Sequence, residues 1–295
     1  MIRFRRPKGP GFGIDAGAYL TVLSTRVPMP AIRDVVDPKG ANGAVVGFGV
    51  PLGMGGDKAV LLRPMERGGY AVATKDQKTV LQMSVLSKEE AGFDPVAFLR
   101  SPLAAGLDPE LTLRLKATWT VAQLAFKSHD PEVYPALDFL VDVAGRLAYL
   151  ADGAIADPIA MRYLLPHELR QAVRLDPRVD AREHVGIGRR GTPGREHVAT
   201  HGLLKFGMPE LEIENLLPDE ISLAGSFLIA SAQSALMGDP PTSGDRYGAP
   251  GALFEAREGG FDKATWEEVP VLELLPPTRL TAGEALRAWE AALRD

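Results

Sequence analysis

Residues 182–215 read REHVGIGRRGTPGREHVATHGLLKFGMPELEIEN, and the fold class turns on how they are parsed. Val, Ile and Thr alternate with polar residues, and breaks at residues 191–194 and at Phe206-Gly207 divide the stretch into three runs. Short alternating runs bounded by glycine and proline predict strands, from Glu183 to about Asn215. A turn over residues 191–194 sets His184 opposite His201 and Gly188 opposite His197. A second turn at Phe206-Gly207 sets Glu212 opposite His201. Side chains alternate between faces of a strand, so His197, Ala199 and His201 share one face. Glu210, Glu212 and Glu214 alternate likewise, with Leu211 and Ile213 on the other side.

This meander aligns His184, His201 and Glu212 across three strands, with His197 two residues along. Imidazoles and a carboxylate at cross-strand distance suit zinc or manganese. An open coordination position would activate water, with Glu210 as base, in a metal-dependent hydrolase using His184, His197, His201 and Glu212. The same pattern describes a polar binding face, or a plain solvated one, and a one-residue slip at either turn destroys the alignment. The spacing HVATH is not the helical H-E-x-x-H of metalloproteases, because no glutamate follows the first histidine. The turn itself carries Arg189, Arg190 and Arg195 among glycines. Guanidiniums there would grip phosphates or an acidic protein surface. No aromatic platform for single-stranded nucleic acid accompanies them.

Residues 17–86 hold β-branched runs (AYLTVLSTRV, GAVVGFGV, KAVLLRPM, GYAVAT, KTVLQMSVL) between turn formers. They predict a β-rich N-terminal subdomain over residues 1–90. A connector over 91–107 contains a short helix at Pro95–Arg100, and residues 108–295 form an α+β domain. Asp108-Pro109 and Asp130-Pro131 each offer a capping carboxylate before a first-turn proline. The first helix is expected to run through Leu111, Leu115, Trp119, Ala122 and Phe126, and the second from Val133 to Gly153. Asp157-Pro158 opens a third, to about Leu165. A helix over Ile221–Met237, a loop from Gly238 to Gly251, and a strand at Val271–Leu275 follow. The final helix is capped by Thr281 and Glu284. Helices set between runs of strands predict an α+β fold, with mixed or mainly antiparallel sheets packed against several helices.

The run Thr200-His201-Gly202-Leu203, with Phe206-Gly207 and Pro209-Glu210-Leu211-Glu212, resembles a segment of bacterial domain-of-unknown-function proteins. TWTVAQLAF and GAIADPIAMRYLLP resemble their upstream parts, so the likeness spans roughly residues 110–215. Those segments carry a second histidine two places before the T-H-G-L one, where this chain has Ala199. The family has no established activity to carry over. Neighbouring families near toxin–immunity loci imply a partner-binding role.

Composition narrows the remaining classes. Zero cysteines excludes disulfides, thiolate metal sites and a cysteine nucleophile, and fits a reducing compartment. The formal charge of −5 gives no overall pull toward nucleic acid. The basic start MIRFRRPKGPGFGIDAG has no apolar run behind it, unlike a secretory signal. No apolar run approaches the roughly 18–20 residues that span a bilayer. Abundant Arg, Ala, Gly and Pro point to a GC-rich bacterial source and, with no leader, to the cytoplasm. Gly47–Lys58 is glycine-dense but lacks G-x-x-x-x-G-K-[ST], so it reads as a hairpin loop. There is no G-x-S-x-G elbow. The expectation is a non-catalytic protein that binds a protein or small ligand through the β-surface around residues 184–214. The surface comprises His184, His197, His201, Glu210, Glu212, Glu214, Arg189, Arg190 and Arg195. No cofactor is expected beyond a possible divalent ion.

Overall fold

A computed structural model describes residues 19–36, 50–52, 58–129, 133–175, 179–192, 194–238, 240–259 and 269–294. The chain divides into two compact units, one over Asp15–Ala172 and the other over Val173–Asp295. The fold is α+β, with mostly antiparallel sheets and several helices. Residues 91–107 lie inside the first of these units.

The Asp15–Ala172 unit is built on a seven-stranded sheet. Its strands are β1 (Tyr19–Ser24), β3 (Val50–Leu52), β5 (Gly68–Ala73), β6 (Val80–Ser87), β7 (Thr120–Ser128), β8 (Ala154–Asp157) and β9 (Arg162–Leu164). Their spatial order is β3-β5-β6-β7-β1-β8-β9, so the first strand of the chain lies between β7 and β8. β2 (Met29–Ala31) and β4 (Pro64–Met65) form a separate small ladder. Leu20, Val22, Leu81, Met83, Val85 and Leu124 bury one face beneath α1 (Ile32–Val36) and α4 (Val133–Leu150). Leu23, Val121 and Ala154 bury the other beneath α2 (Pro95–Leu99) and α3 (Pro109–Lys116).

Three expectations for this unit are corrected. The helix expected over residues 108–126 stops at Lys116, and the rest is β7. A spacing of four residues fits one helical turn and also two strand repeats, so Ala122 and Phe126 satisfy both. In β7, Ala122 and Leu124 point inward while Gln123 and Ala125 are exposed. The third helix, from Asp157-Pro158, is instead a tight reversal between β8 and β9. Asp157 accepts the amide of Ala160 at 3.1 Å, and Met161 takes a left-handed φ of 51° that ends any helix. KAVLLRPM forms a 3-10 turn at Lys58–Leu62, not a strand, before β4. The short α2 and the long α4 are where the sequence places them, as are β5 and β6. Most of the expected strand over 43–50 lies outside the described residues, as do Asp130-Pro131 and most of the Gly47–Lys58 loop.

The Val173–Asp295 unit contains α5 (Ala181–His184), β10 (Gly186–Thr192), β11 (Arg195–His201), β12 (Glu210–Leu216) and α6 (Ile221–Met237). β13 (Arg246–Ala249), β14 (Ala252–Glu258), β15 (Val271–Leu275) and α7 (Ala282–Ala292) follow. Its six-stranded sheet has the order β10-β11-β12-β15-β14-β13, antiparallel except where β12 and β15 run parallel. The loop expected over residues 238–251 holds β13, which pairs with β14 through a tight turn. α6 and α7 pack on one face, where Phe227 lies 4.9 Å from Phe254 and 5.1 Å from Trp289. Thr281 and Glu284 form the expected capping box of α7. Against the expectation that no apolar run approaches a bilayer-spanning length, Pro218–Met237 has a mean hydropathy of 1.2 and is long and apolar enough by composition to cross a membrane, though half of it is buried. Its face toward the sheet carries Ala224, Phe227, Leu228 and Ala232, while Ser222, Ser226 and Ser234 are exposed.

Candidate functional site

The three expected runs of the 182–215 segment form a hairpin and a third strand, each registered two residues from expectation. Gly186 lies opposite His201, Arg190 opposite His197, and Ala199 opposite Glu212. Two residues is a full strand repeat, so the faces are unchanged. His197, Ala199, His201 and Glu212 still share the side away from α6 and α7. His184 leaves the row: it ends α5, whose start is held by the Asp180 carboxylate accepting the Arg182 amide at 3.0 Å. Asp180 also accepts the Leu175 amide and the Arg182 guanidinium. Burial opposes its charge, but these bonds win and lower its pKa to about 2.

The shared face is buried and not solvated. Glu212 is 0% exposed, His197 2% and His201 7%, and Ala199 contacts Val271 beside them. His197 Nε2 lies 2.8 Å from Glu212 Oε2, a buried hydrogen-bonded pair. Burial lowers the His201 pKa to about 4, assisted by the charges of Arg190 and His197. The His201 ring also covers Gly188 of β10. A Cβ at that position would lie 2.3 Å from His201 Nε2, so only glycine fits under the imidazole.

Glu210 has a structural task. One carboxylate oxygen accepts the amides of Gly202 (2.7 Å) and Leu204 (3.1 Å), and the other accepts the Thr200 hydroxyl at 2.7 Å. These bonds fasten the 3-10 turn Leu203–Phe206 to the start of β12. Burial pushes the Glu210 pKa up despite these bonds, which pull the other way. Gly202, at a φ of 126°, brings the turn so close to His184 that a Cβ would lie 2.3 Å from its carbonyl oxygen. The buried Lys205 ammonium donates to that same carbonyl at 2.8 Å. The His184 ring stands edge-on to Phe206, with centroids 5.7 Å apart. Glu183 beside it takes both Nε and Nη2 of Arg174 at 2.9 Å.

The sequence-based reading missed two members of this face. Glu273 of β15 lies beside Glu212 in the parallel pair, and Arg257 of β14 lies opposite Glu273. Burial raises the pKa of both Glu214 and Glu273, and neighbouring carboxylates add to it: Glu212 for the first, Glu214 and Glu212 for the second. The only signal for Glu273 was its position as the one charged residue in VLELL. Nothing local showed which strand it would adjoin. Among the described residues, no three His, Asp or Glu side chains are gathered to hold one metal ion. The four expected ligands part into the His197–Glu212 pair, His201 over Gly188, and His184 against Phe206.

The exposed part of the segment is the hairpin tip. Arg189, Thr192 and Arg195 are exposed and Arg190 half-buried. Arg189 is gripped by the buried Glu196 through two bonds of 2.7 and 3.0 Å, which fixes the tip on the sheet. Comparison with family models, with curated proteins and with solved structures finds no match to this chain.

Proposed function

We propose that this chain is a non-catalytic binding protein that engages an extended acidic segment of a partner protein along β10 and the adjoining hairpin tip. The observation that carries the reading is the position of β10. It is the outer strand of its sheet and, among the described residues, pairs only with β11. An outer strand offers main-chain donors and acceptors to an added strand, and the side chains beside it select the sequence. Here those side chains are Ile187, 39% exposed, and the arginines at 189, 190 and 195. The buried His197, His201, Glu210 and Glu212 then act as the support that fixes β10 and its register.

A library of displayed extended peptides, selected on the whole chain, tests this. Enrichment of acidic sequences with alternating β-branched residues is expected, with affinity falling about tenfold or more in Arg190→Glu/Arg195→Glu. Enrichment unaffected by that charge reversal would refute the reading. Tighter capture of oligonucleotides, with a steep salt dependence, would assign the tip to nucleic acid instead. Turnover of any substrate that disappears in His201→Ala would make the chain an enzyme.

A further inference from the structure

A second candidate lies in the Asp15–Ala172 unit. A cleft of about 470 Å³ opens between the turn after β6, the start of α2 and the end of α3. Its walls include Phe93 and Val96, and its charged groups are Lys88, Lys116, Glu89 and Asp94. These charges are not equivalent. The Asp94 carboxylate is committed to the amides of Val96 and Ala97 at 2.9 and 3.1 Å. Glu89 is held below the usual carboxylate range by its own amide and by Ser87, and to a lesser degree by the Lys88 charge.

The two ammonium groups differ from them. Among the described residues neither Lys88 nor Lys116 forms an ion pair. Lys88 Nζ sits 4.3 Å from the ring centroid of Trp119, which is 59% exposed. A cation over an indole is held in place while its charge stays available. The cleft therefore combines two cations outside any ion pair among the described residues, one of them seated on the neighbouring Trp119 ring, with an apolar wall and a volume in the range of small-molecule sites.

We propose that this cleft binds a small organic oxyanion, a carboxylate or phosphate ester with an aromatic or apolar body, anchored by Lys88 and Lys116. The charged end meets the ammonium groups and the body lies against Phe93 and Val96. Charge alone would favour inorganic phosphate, whereas the apolar wall favours the ester.

Titrating the whole chain with phenyl phosphate, phenylpropionate, inorganic phosphate and neutral benzyl alcohol tests this, by calorimetry and tryptophan fluorescence. Subtracting the Trp119→Phe signal isolates Trp119 from the other two tryptophans. Saturable binding of at least one aromatic anion is expected, with inorganic phosphate about tenfold weaker and benzyl alcohol not saturating. Lys116→Gln, at an exposed position, should weaken the anion about tenfold without altering the circular dichroism. Lys88→Gln should do the same and also shift the Trp119 emission. Whichever anion binds more tightly identifies the headgroup. No saturation by about 10 mM, benzyl alcohol matching the anions, or affinity unchanged in Lys116→Gln would each overturn the assignment.

Discussion

At the scale of single residues, His201 carries the clearest electrostatic consequence. Its imidazole titrates near 6.5 when unfolded and at about 4 in the folded chain, because burial and then Arg190 and His197 disfavour its charge. Above pH 6.5 both states are neutral there, and the native state keeps its full stability. As pH falls toward 4 the unfolded chain takes up a proton that the folded chain refuses, so stability drops, by about 3 kcal/mol at most. Urea midpoints at pH 7.5 and 4.5 should therefore differ less in His201→Gln than in the parent chain. An equal difference in both would remove His201 from the acid response. The sequence was informative about which residues share this face, since strand alternation fixes that whatever the register's even shifts. It was silent about burial, because alternation does not say what lies over a face. The row of His and Glu that suggested a solvated or metal-binding surface is an interior one for that reason.

At the scale of elements, the decisive group is Glu210, which ties the 3-10 turn to β12 through two hydrogen bonds and β11 to β12 through a third. Glu210→Ala leaves two amides and a hydroxyl without their acceptor and should cost about 3 kcal/mol. Glu210→Gln keeps an oxygen for the two amides, and its amide can donate to Thr200 Oγ1, so it should cost less than about 1 kcal/mol. Denaturant unfolding of both variants separates the cases, and equal losses would show that the negative charge matters more than the bonds. Element by element, legibility followed local signals. The capping box at Thr281 and the run Val271–Leu275 had unambiguous chemistry and are found in place. TVAQLAF failed because its spacing of four serves both periods, and Asp157-Pro158 failed because the same capping carboxylate can close a single turn. The hairpin registers slipped because the turn residues did not fix how many of them stay outside the ladder.

At the scale of the molecule, two cores are separately closed. Leu124 is fully buried in the sheet of one unit, and Phe254 is fully buried between the sheet and helices of the other. Leu124→Ala and Phe254→Ala should each remove about 3–4 kcal/mol from their own unit. In a calorimetric scan each should lower one transition and leave the other in place. A single transition moved by either substitution would show that the two units unfold together. The α+β class was readable from the alternation of element types, since each run's period is local. The strand orders were not readable, because β1 lies between β7 and β8, and β12 beside β15, through contacts distant in sequence.

The parallel contact of Glu210–Glu212 with Val271–Glu273 also has a kinetic side. β10 through β12 can zip together from adjacent segments, and so can β13 through β15. The two halves become one sheet only after the intervening chain has closed a long loop, an entropically slow event. Until that closure, β12 and β15 both present bare edges. Refolding of this unit should thus pass through its most association-prone moment late, and dilution should raise the yield more than any gain in local strand propensity.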